Sequence, residues 1–246
     1  MQSEETGDIS VYYQHTGRVS LFSRVSLLAR TRMFSMFTEY FHPDPDALVL
    51  DVGVTGDSSF PESNFFEKMY PYPHKIVCVG TEDGSHLMRV YPGLRYRRIT
   101  AGQKLPFQDG EFDIVFSNAV LEHTGGDTAQ RAFIRELCRV GRAFFITTPN
   151  RWFAIEHHTG LPLLHFLPRR LFRFIIRNTR FRYWSEETNL NLLSASDLMA
   201  LFPPEIKPVL CRLRLAGFTS NLVVIGWVRS REMKQPEDLH GCGSSS

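Results

Sequence analysis

The chain has 246 residues, of which 43% are hydrophobic and 22% are charged, as in ordinary globular proteins. This length suits one large α/β domain, and the composition excludes wholesale disorder. The formal net charge of +2 gives no support to nucleic-acid binding, which needs a strongly basic field.

The sequence also indicates how the protein is targeted and whether its cysteines are reduced. The first residues are polar and acidic, unlike a signal peptide, and no apolar run is long enough to predict a spanning helix. None of the four cysteines belongs to a CxxC pair, so we expect neither a disulfide framework nor a structural zinc site. These features predict a reduced, cytoplasmic protein.

Short apolar runs alternate with helix-like segments along most of the chain. Helical spacing of apolar residues over 18–40 predicts an N-terminal helix that ends before Pro43. Apolar runs that are typical of strands buried on both faces follow at 47–50, 76–79, 113–116 and 143–146. Helix-like segments lie between them at 60–70, 84–90 and 127–139. This alternation predicts βαβ units and a parallel sheet with helices on both faces.

The last third of the chain does not continue this alternation of strands and helices. Residues 209–215 and 221–229 predict two strands with no crossover helix between them, so they should pair antiparallel. Residues 150–190 are too long for an ordinary loop and predict an insertion with its own structure. The predicted organisation is a flexible N-terminus at 1–17, a single domain at 18–229 that begins with a helical segment at 18–42, and a disordered tail at 230–246.

A glycine-containing loop follows the first predicted strand. It runs Asp51-Val-Gly-Val-Thr-Gly-Asp57, and the stretch Ser59-Phe-Pro-Glu62 after it matches a capping box that opens a helix. Glycine lets a backbone turn tightly and approach a ligand closely. An acid at the strand end would repel a pyrophosphate, so Asp51 favours a ligand with a positive centre over a dinucleotide.

This loop and two later blocks resemble the class I S-adenosylmethionine-dependent methyltransferases of the type 11 kind. Asp51 and Gly53 match the family's D/E-x-G-x-G-x-G motif, whereas Thr55 and Asp57 replace its later glycines. The later matches are the LPF…FD…LEH block over 105–123 and a PNRWF…LPLLH stretch over 148–168. The resemblance spans roughly residues 47–228.

The resemblance implies a Rossmann-like α/β fold and a cofactor. The expected sheet has seven strands and is mostly parallel, with the last strand antiparallel and a helical lid insertion over the site. The implied methyl donor is S-adenosyl-L-methionine, with S-adenosyl-L-homocysteine as product. The implied cofactor-binding residues are Asp51, Gly53, Thr55, Glu82, Asp83, Gly102, Gln103 and Asn118. Glu82 would hold the ribose diol, with Asp83 as the alternative, and adenine recognition falls on backbone groups or on Gln103, because Ala101 replaces the family's Asp.

Histidines are the candidate bases for the chemistry. His123 follows the strand at 113–116, where the cofactor's methyl group faces the acceptor in this fold, and imidazole titrates near neutral pH; packing beside the cofactor is its alternative role. His157 and His158 of the insertion are further candidates. The candidate substrate contacts are Arg151, Trp152 and Glu156. The spacing of Glu156, His157, His158 and His165 fits no zinc signature, so we predict no metal.

Residues 168–182 contain six arginines and no acid. On a helical wheel an apolar face opposes a basic sector: Leu171, Phe172, Phe174, Ile175 and Ile176 against Arg169, Arg170, Arg173 and Arg177. Three roles stay open for the arginines: a solvated face, a lid that grips a phosphate or carboxylate of the substrate, and peripheral contact with an anionic membrane.

The sequence therefore predicts methyl transfer to an O, N or C nucleophile. The expected acceptor is a small molecule or a glycan- or lipid-linked compound, with an anionic acceptor and membrane association left open and no nucleic acid as partner. A non-catalytic methyltransferase-like scaffold and a nicotinamide-dependent Rossmann oxidoreductase are the alternatives. The sequence makes no prediction of oligomeric state.

Overall fold

The computed structural model describes residues 21–57, 60, 62–156, 158–215 and 217–228. Its centre is a seven-stranded sheet with the order β3-β2-β1-β4-β5-β7-β6. The strands are β1 Val49–Val52, β2 Ile76–Gly80, β3 Arg95–Arg98, β4 Phe112–Asn118, β5 Gly141–Pro149, β6 Val209–Leu215 and β7 Phe218–Trp227. Strands β1 to β5 are parallel, and β7 runs antiparallel to both β5 and β6. The predicted seven-stranded Rossmann-like sheet is confirmed.

Six α-helices accompany this sheet among the described residues. They are α1 Leu21–Phe41, α2 Phe65–Met69, α3 Leu87–Val90, α4 Asp127–Val140, α5 Arg169–Ile176 and α6 Ala195–Met199. Helix α1 ends just before Pro43, as predicted. Helix α2 begins later than the predicted start at residue 60, because residues 62–64 form turns and Asn64 has a left-handed backbone (φ 48°). Glu62 lies in those turns, and Ser59 of the predicted capping box lies outside the described residues.

Two hydrophobic layers form the core, one on each face of the sheet. Because side chains alternate along a strand, Ile114 and Phe116 of β4 pack on the side of α1 and α2. Val115, between them, packs on the opposite side with residues of α4 and α6. Both faces of the central strands are buried, which explains their uninterrupted apolar sequences.

Strand β3 was missed by the sequence analysis. Its sequence is Arg-Tyr-Arg-Arg, and three of its four side chains are exposed. It lies at an edge and pairs only with β2 among the named strands. An exposed edge strand has no apolar signature to predict it, and its charges protect the edge from pairing with other chains.

Residues 150–190 form an insertion with little regular structure. Helix α5 and two 3-10 turns, Leu164–Phe166 and Arg182–Ser185, pack around a small core of Phe172, Ile176 and Phe181. The expected single apolar face of α5 is only partly buried, because Leu171, Phe174 and Ile175 are exposed. A backbone bridge between Asn150 and Leu193 joins the two ends of the insertion.

Two other predictions can be compared with the described residues. None of their helices has the length and hydropathy needed to span a bilayer. Cys78 and Cys138 are buried free thiols, whereas Cys211 is disulfide-bonded, which differs from the expectation of fully reduced cysteines.

Candidate active site

A cavity of about 200 Å³ lies at the C-terminal ends of β1 and β4. In an open α/β sheet this is the point at which the strand order reverses and ligands bind. The wall comes from β1 and its loop, the turn and first residues of α2, the end of β4, and one residue of α1. The lining residues are Arg30, Asp51, Gly53, Val54, Thr55, Glu62, Ser63, Asn64, Phe65, Phe66, Glu67, Phe116, Asn118 and Ala119.

Two buried carboxyl groups face each other in this wall. Asp51 and Glu67 are only 6% and 3% exposed. Burial, with the nearby charge of Glu67, raises the pKa of Asp51 well above its usual range. Glu67 accepts a hydrogen bond from the Cys78 thiol on Oε1 at 3.1 Å, while its Oε2 has no hydrogen-bond partner among the described residues. Two buried carboxyl groups side by side suit a ligand that carries positive charge.

Gly53 makes the sharp bend that opens the loop after β1. Its φ of +105° belongs to the region that favours glycine. A Cβ there would come within 2.1 Å of Val120 Cγ2, and its N–H donates to Val79 O at 2.8 Å. Only glycine lets the loop pass this close to the segment after β4.

The rest of the loop is held from two sides. Thr55 donates its N–H to Asn64 Oδ1 at 3.3 Å, and Asn64 Nδ2 donates to Thr55 O at 2.9 Å. On the other side, Thr55 Oγ1 donates to Glu82 Oε2 at 3.4 Å. Gly56 fits close to the main chain at Asp83, whose O would be 2.5 Å from a Cβ at that position. The loop therefore contacts the start of α2 on one side and the segment after β2 on the other.

The predicted cofactor residues divide into two groups. Four of them line the cavity: Asp51, Gly53, Thr55 and Asn118. Glu82 contacts the cavity wall by accepting a hydrogen bond from Thr55. The others lie outside it: Asp83, Gly102 and Gln103. Asp83 accepts from the Ser85 N–H at 3.0 Å, and this turn lowers the pKa of its carboxyl group. Their contact with a cofactor stays a prediction.

Two of the predicted catalytic histidines meet beside the end of β4. Nε2 of His123 lies 3.1 Å from Nε2 of His158, and the rings are nearly perpendicular with centroids 4.8 Å apart. Nδ1 of His123 donates to the Asn189 carbonyl at 2.7 Å. Trp184 packs against both rings. The remaining candidate, His157, lies outside the described residues.

Glu156 holds His158 in place. Its Oε1 accepts from His158 Nδ1 at 2.7 Å, and its Oε2 accepts from the Thr159 N–H at 2.6 Å. Burial opposes ionisation of Glu156, but His158 and these hydrogen bonds outweigh it and lower its pKa to about 2. Burial lowers the pKa of His123; for His158, the Glu156 carboxylate outweighs burial and raises the pKa.

The other predicted substrate residues lie on the insertion. The Arg151 guanidinium stacks over Trp152, 5.1 Å from the ring centroid, and donates to Leu167 O at 3.2 Å. Trp152 is half exposed. The side chain of Glu156 is fully buried, so it positions His158 rather than facing solvent. Acceptor contact by these residues stays a prediction.

Two arginines of α5 form ion pairs with the protein itself. Arg169 lies 3.2 Å from Asp197 and Arg173 lies 3.5 Å from Glu187. Both guanidinium groups therefore have a carboxylate partner within the protein, and the choice among the three roles stays open.

Sequence reasoning missed two buried acids of the site. Glu67 follows Phe66 and precedes Lys68 in α2, and Glu122 lies in the turn Leu121–His123. Glu122 is fully buried; its Oε2 accepts from Thr148 Oγ1 at 2.9 Å. The available signal was a carboxylate directly after two apolar residues, Phe65-Phe66 before Glu67 and Val120-Leu121 before Glu122. A buried carboxylate is rare unless it is paired or functional.

Comparison with known proteins agrees with the geometry. A family model described as a methyltransferase domain matches residues 82–143, from the end of β2 to the start of β5. A search of curated protein sequences found no significant match.

Solved structures of similar fold include several methyltransferases. A SAM-dependent methyltransferase from Methanosarcina mazei is 16% identical, with a TM-score of 0.52 over 77% of this chain and 94% of that one. A Pyrococcus horikoshii protein is 13% identical, with a TM-score of 0.57 over 88% and 98%. The 1,6-didemethyltoxoflavin-N1-methyltransferase of Burkholderia thailandensis, solved with bound S-adenosylhomocysteine, is 14% identical, with a TM-score of 0.53 over 81% and 77%.

Proposed function

Because the chain has the class I methyltransferase fold and a methyltransferase-domain match, we propose that it is an S-adenosylmethionine-dependent methyltransferase. The observation that carries the proposal is the cavity that Gly53 helps to line, whose wall includes the carboxyl groups of Asp51 and Glu67. The carboxyl groups of Asp51 and Glu67 would attract a sulfonium or ammonium group, whereas they would repel a pyrophosphate. This favours S-adenosylmethionine over a nicotinamide dinucleotide.

Different side chains of the cavity would contact different parts of the cofactor. Asp51 and Glu67 would face its cationic part, Gly53 leaves room for it, and Glu82 would accept from its ribose hydroxyls once released from Thr55. The bound cofactor supplies an activated methyl group. The protein's main task is then alignment, which can contribute roughly 7–11 kcal/mol towards the barrier.

The candidate proton acceptor for a hydroxyl or amine acceptor is His123. Its Nδ1 is occupied by the Asn189 carbonyl, so Nε2 is the atom that faces the insertion and His158. His123 follows Ala119 and Val120, which meet the cofactor cavity and Gly53 respectively. The histidine therefore lies at the strand end where we propose that the methyl group faces the acceptor.

We further propose that the acceptor is a lipid-linked or otherwise largely apolar compound. The insertion exposes several large apolar side chains, each between 37% and 68% exposed: Trp152, Ile155, Leu163, Phe166, Leu171, Phe174, Ile175 and Tyr183. Concentrations of exposed apolar groups mark interaction surfaces. Peripheral contact of this insertion with a membrane would bring such an acceptor to the site.

Calorimetric titration with S-adenosylhomocysteine tests the central proposal. The wild-type protein should bind it, and Asp51→Ala should weaken the binding strongly, because the acidic wall is lost. Asp46→Ala is the matched control, since Asp46 is an exposed carboxylate paired with Lys75. Absence of binding to the wild-type protein would favour the scaffold alternative, and binding of NADH instead would favour the oxidoreductase.

A further inference from the structure

We propose that Glu122, His123 and His158 form a binding site for a divalent transition-metal ion such as Zn²⁺. One ligand atom from each residue lies within 4.8 Å of the other two. The sequence analysis predicted no metal, but it considered Glu156, His157, His158 and His165. The structure instead joins His158 to the turn after β4, which is 35 residues earlier in the chain.

The hydrogen bonds of the two histidines determine which nitrogens carry lone pairs. The Asn189 carbonyl can only accept, so the hydrogen of His123 is on Nδ1. Glu156 Oε1 accepts from the backbone N–H of His158 at 2.9 Å and from its Nδ1 at 2.7 Å. In both neutral rings Nε2 is therefore a lone-pair donor, and the two lone pairs face each other across 3.1 Å.

A third electron-pair donor completes the group. Glu122 Oε1 is buried, has no hydrogen-bond partner among the described residues, and lies 3.9 Å from His123 Nε2. A buried carboxylate oxygen without a partner is costly. A proton shared between the histidines would satisfy two of the three atoms, whereas a metal ion would satisfy all three.

The distances suit an ion of this class. Two nitrogens that each lie about 2.0–2.1 Å from a tetrahedral zinc ion are roughly 3.3 Å apart, close to the 3.1 Å between the imidazoles. The carboxylate needs only a small approach towards them. Two imidazoles and one carboxylate are a donor set that Zn²⁺ and Fe²⁺ accept.

The surroundings have the form expected around a metal-binding histidine. Such a histidine usually donates its second ring N–H to a carboxylate or a backbone carbonyl. His158 donates to Glu156, and His123 donates to Asn189. Both rings are thus already oriented for Nε2 coordination.

The ion would join the insertion to the sheet and keep one position open. Three protein ligands with an open fourth position are the pattern of catalytic zinc, and one third of the His123 side chain is exposed. A hydroxyl or carboxylate oxygen of the acceptor is the ligand that would fill this position. Because the ion would occupy Nε2 of His123, the ion and not the imidazole would then make the hydroxyl easier to deprotonate. This last part rests on the proposed function; the metal site itself does not.

Metal titration of the full chain, purified without a histidine tag and dialysed against a chelator, tests the site. Calorimetry with ZnCl₂ should show one equivalent bound, and CoCl₂ should give a visible absorption spectrum. His123→Gln, His158→Gln and Glu122→Gln should each weaken Zn²⁺ binding about tenfold or more, and Glu156→Gln roughly 10–100-fold, because it orients His158. Circular dichroism verifies that each variant is folded.

His42→Asn is the matched control. His42 is exposed and has a φ of +41°, which asparagine tolerates, so Zn²⁺ binding should not change. No binding by the wild-type protein, or equal binding by all variants, would overturn the metal site. Calorimetry with S-adenosylhomocysteine on the same samples separates the two proposals, because the histidine variants should keep cofactor binding. If cofactor binding fails while Zn²⁺ binding persists, only the proposed function fails.

Discussion

At the scale of single residues, we expect Asp51 to favour cofactor binding but to lower the free energy of unfolding when it ionises. Its raised pKa means that the folded state holds a proton which the unfolded chain releases. The free energy of unfolding should therefore fall as the pH rises from the unfolded-state pKa, about 3.9, towards the folded-state pKa. Asp51→Asn removes the ionised form, so it should raise the melting temperature of the ligand-free protein.

Thermal unfolding at about pH 5 and about pH 8 checks this prediction. The gain from Asp51→Asn should be larger at the higher pH, and S-adenosylhomocysteine should stabilise the wild type but not the variant. Asp46→Asn is the control, because Lys75 lowers the pKa of that exposed carboxylate and its removal should not stabilise the protein. A loss of stability in Asp51→Asn at both pH values would contradict the argument.

Substitutions at Gly53 and Gly102 distinguish the cost of a steric clash from the cost of backbone strain. Both Gly53 and Gly102 have positive φ angles, but a Cβ would meet Val120 at Gly53 and nothing within 4 Å at Gly102. Gly102→Ala should cost about 1–2 kcal/mol of unfolding free energy from strain alone. Gly53→Ala should cost clearly more, and urea unfolding of both variants measures the difference. Equal losses would show that the loop shifts away from Val120 without cost.

At the scale of elements, burial decided what the sequence could predict. The central strands are buried on both faces, so their apolar runs at 47–50, 76–79, 113–116 and 143–146 identified them. Edge strand β3 is exposed and charged, and it was invisible to the same pattern. The turns at 62–64 delay α2, because side-chain hydrogen bonds between Asn64 and Thr55 outweigh local helix signals.

The site was predictable where sequence blocks match a family. Asp51 and Gly53 match one motif in part, and the later blocks over 105–123 and 148–168 strengthened the resemblance. The pairing of His123 with His158 depends on how the insertion returns to the sheet, through the bond from the Asn191 N–H to Glu122 O at 2.7 Å. No periodic pattern encodes such a contact between distant segments.

Helix α1 is the element whose docking can be measured most directly. Phe37 is fully buried, and its ring meets Phe66, Phe116 and Phe145 edge-on at 5.1–5.8 Å. Phe37→Ala should lower the free energy of unfolding by about 3–5 kcal/mol. Val25→Ala on the same helix should change it by no more than about 0.5 kcal/mol, because Val25 is 38% exposed. Similar losses in both variants would mean that the burial of Phe37 does not determine the effect, because alanine is the better helix former at both positions.

At the scale of the whole molecule, the proposed cofactor cavity and the insertion are separate parts linked by the segment after β4, in which Ala119 lines the cavity and His123 contacts His158. The cavity is built from the sheet, α1 and α2, whereas eight large exposed apolar side chains of the described residues lie on the insertion, between Trp152 and Tyr183. Changes on the insertion surface should therefore alter association with an apolar partner without altering S-adenosylhomocysteine binding.

Flotation with vesicles of phosphatidylcholine and phosphatidylglycerol tests that separation. The wild-type protein should float with the vesicles, and Phe174→Ser should reduce flotation, because Phe174 is 68% exposed on α5 and would insert among the lipids. Phe218→Ser is the matched control, since Phe218 is 61% exposed but lies at the start of β7, away from the insertion.

Raised salt should weaken flotation further if the arginines of 168–182 contribute, because it screens their attraction to anionic lipid. Equal flotation of the two variants would remove the insertion from membrane contact and leave a freely diffusing acceptor, while cofactor binding by both would show that the cavity works independently.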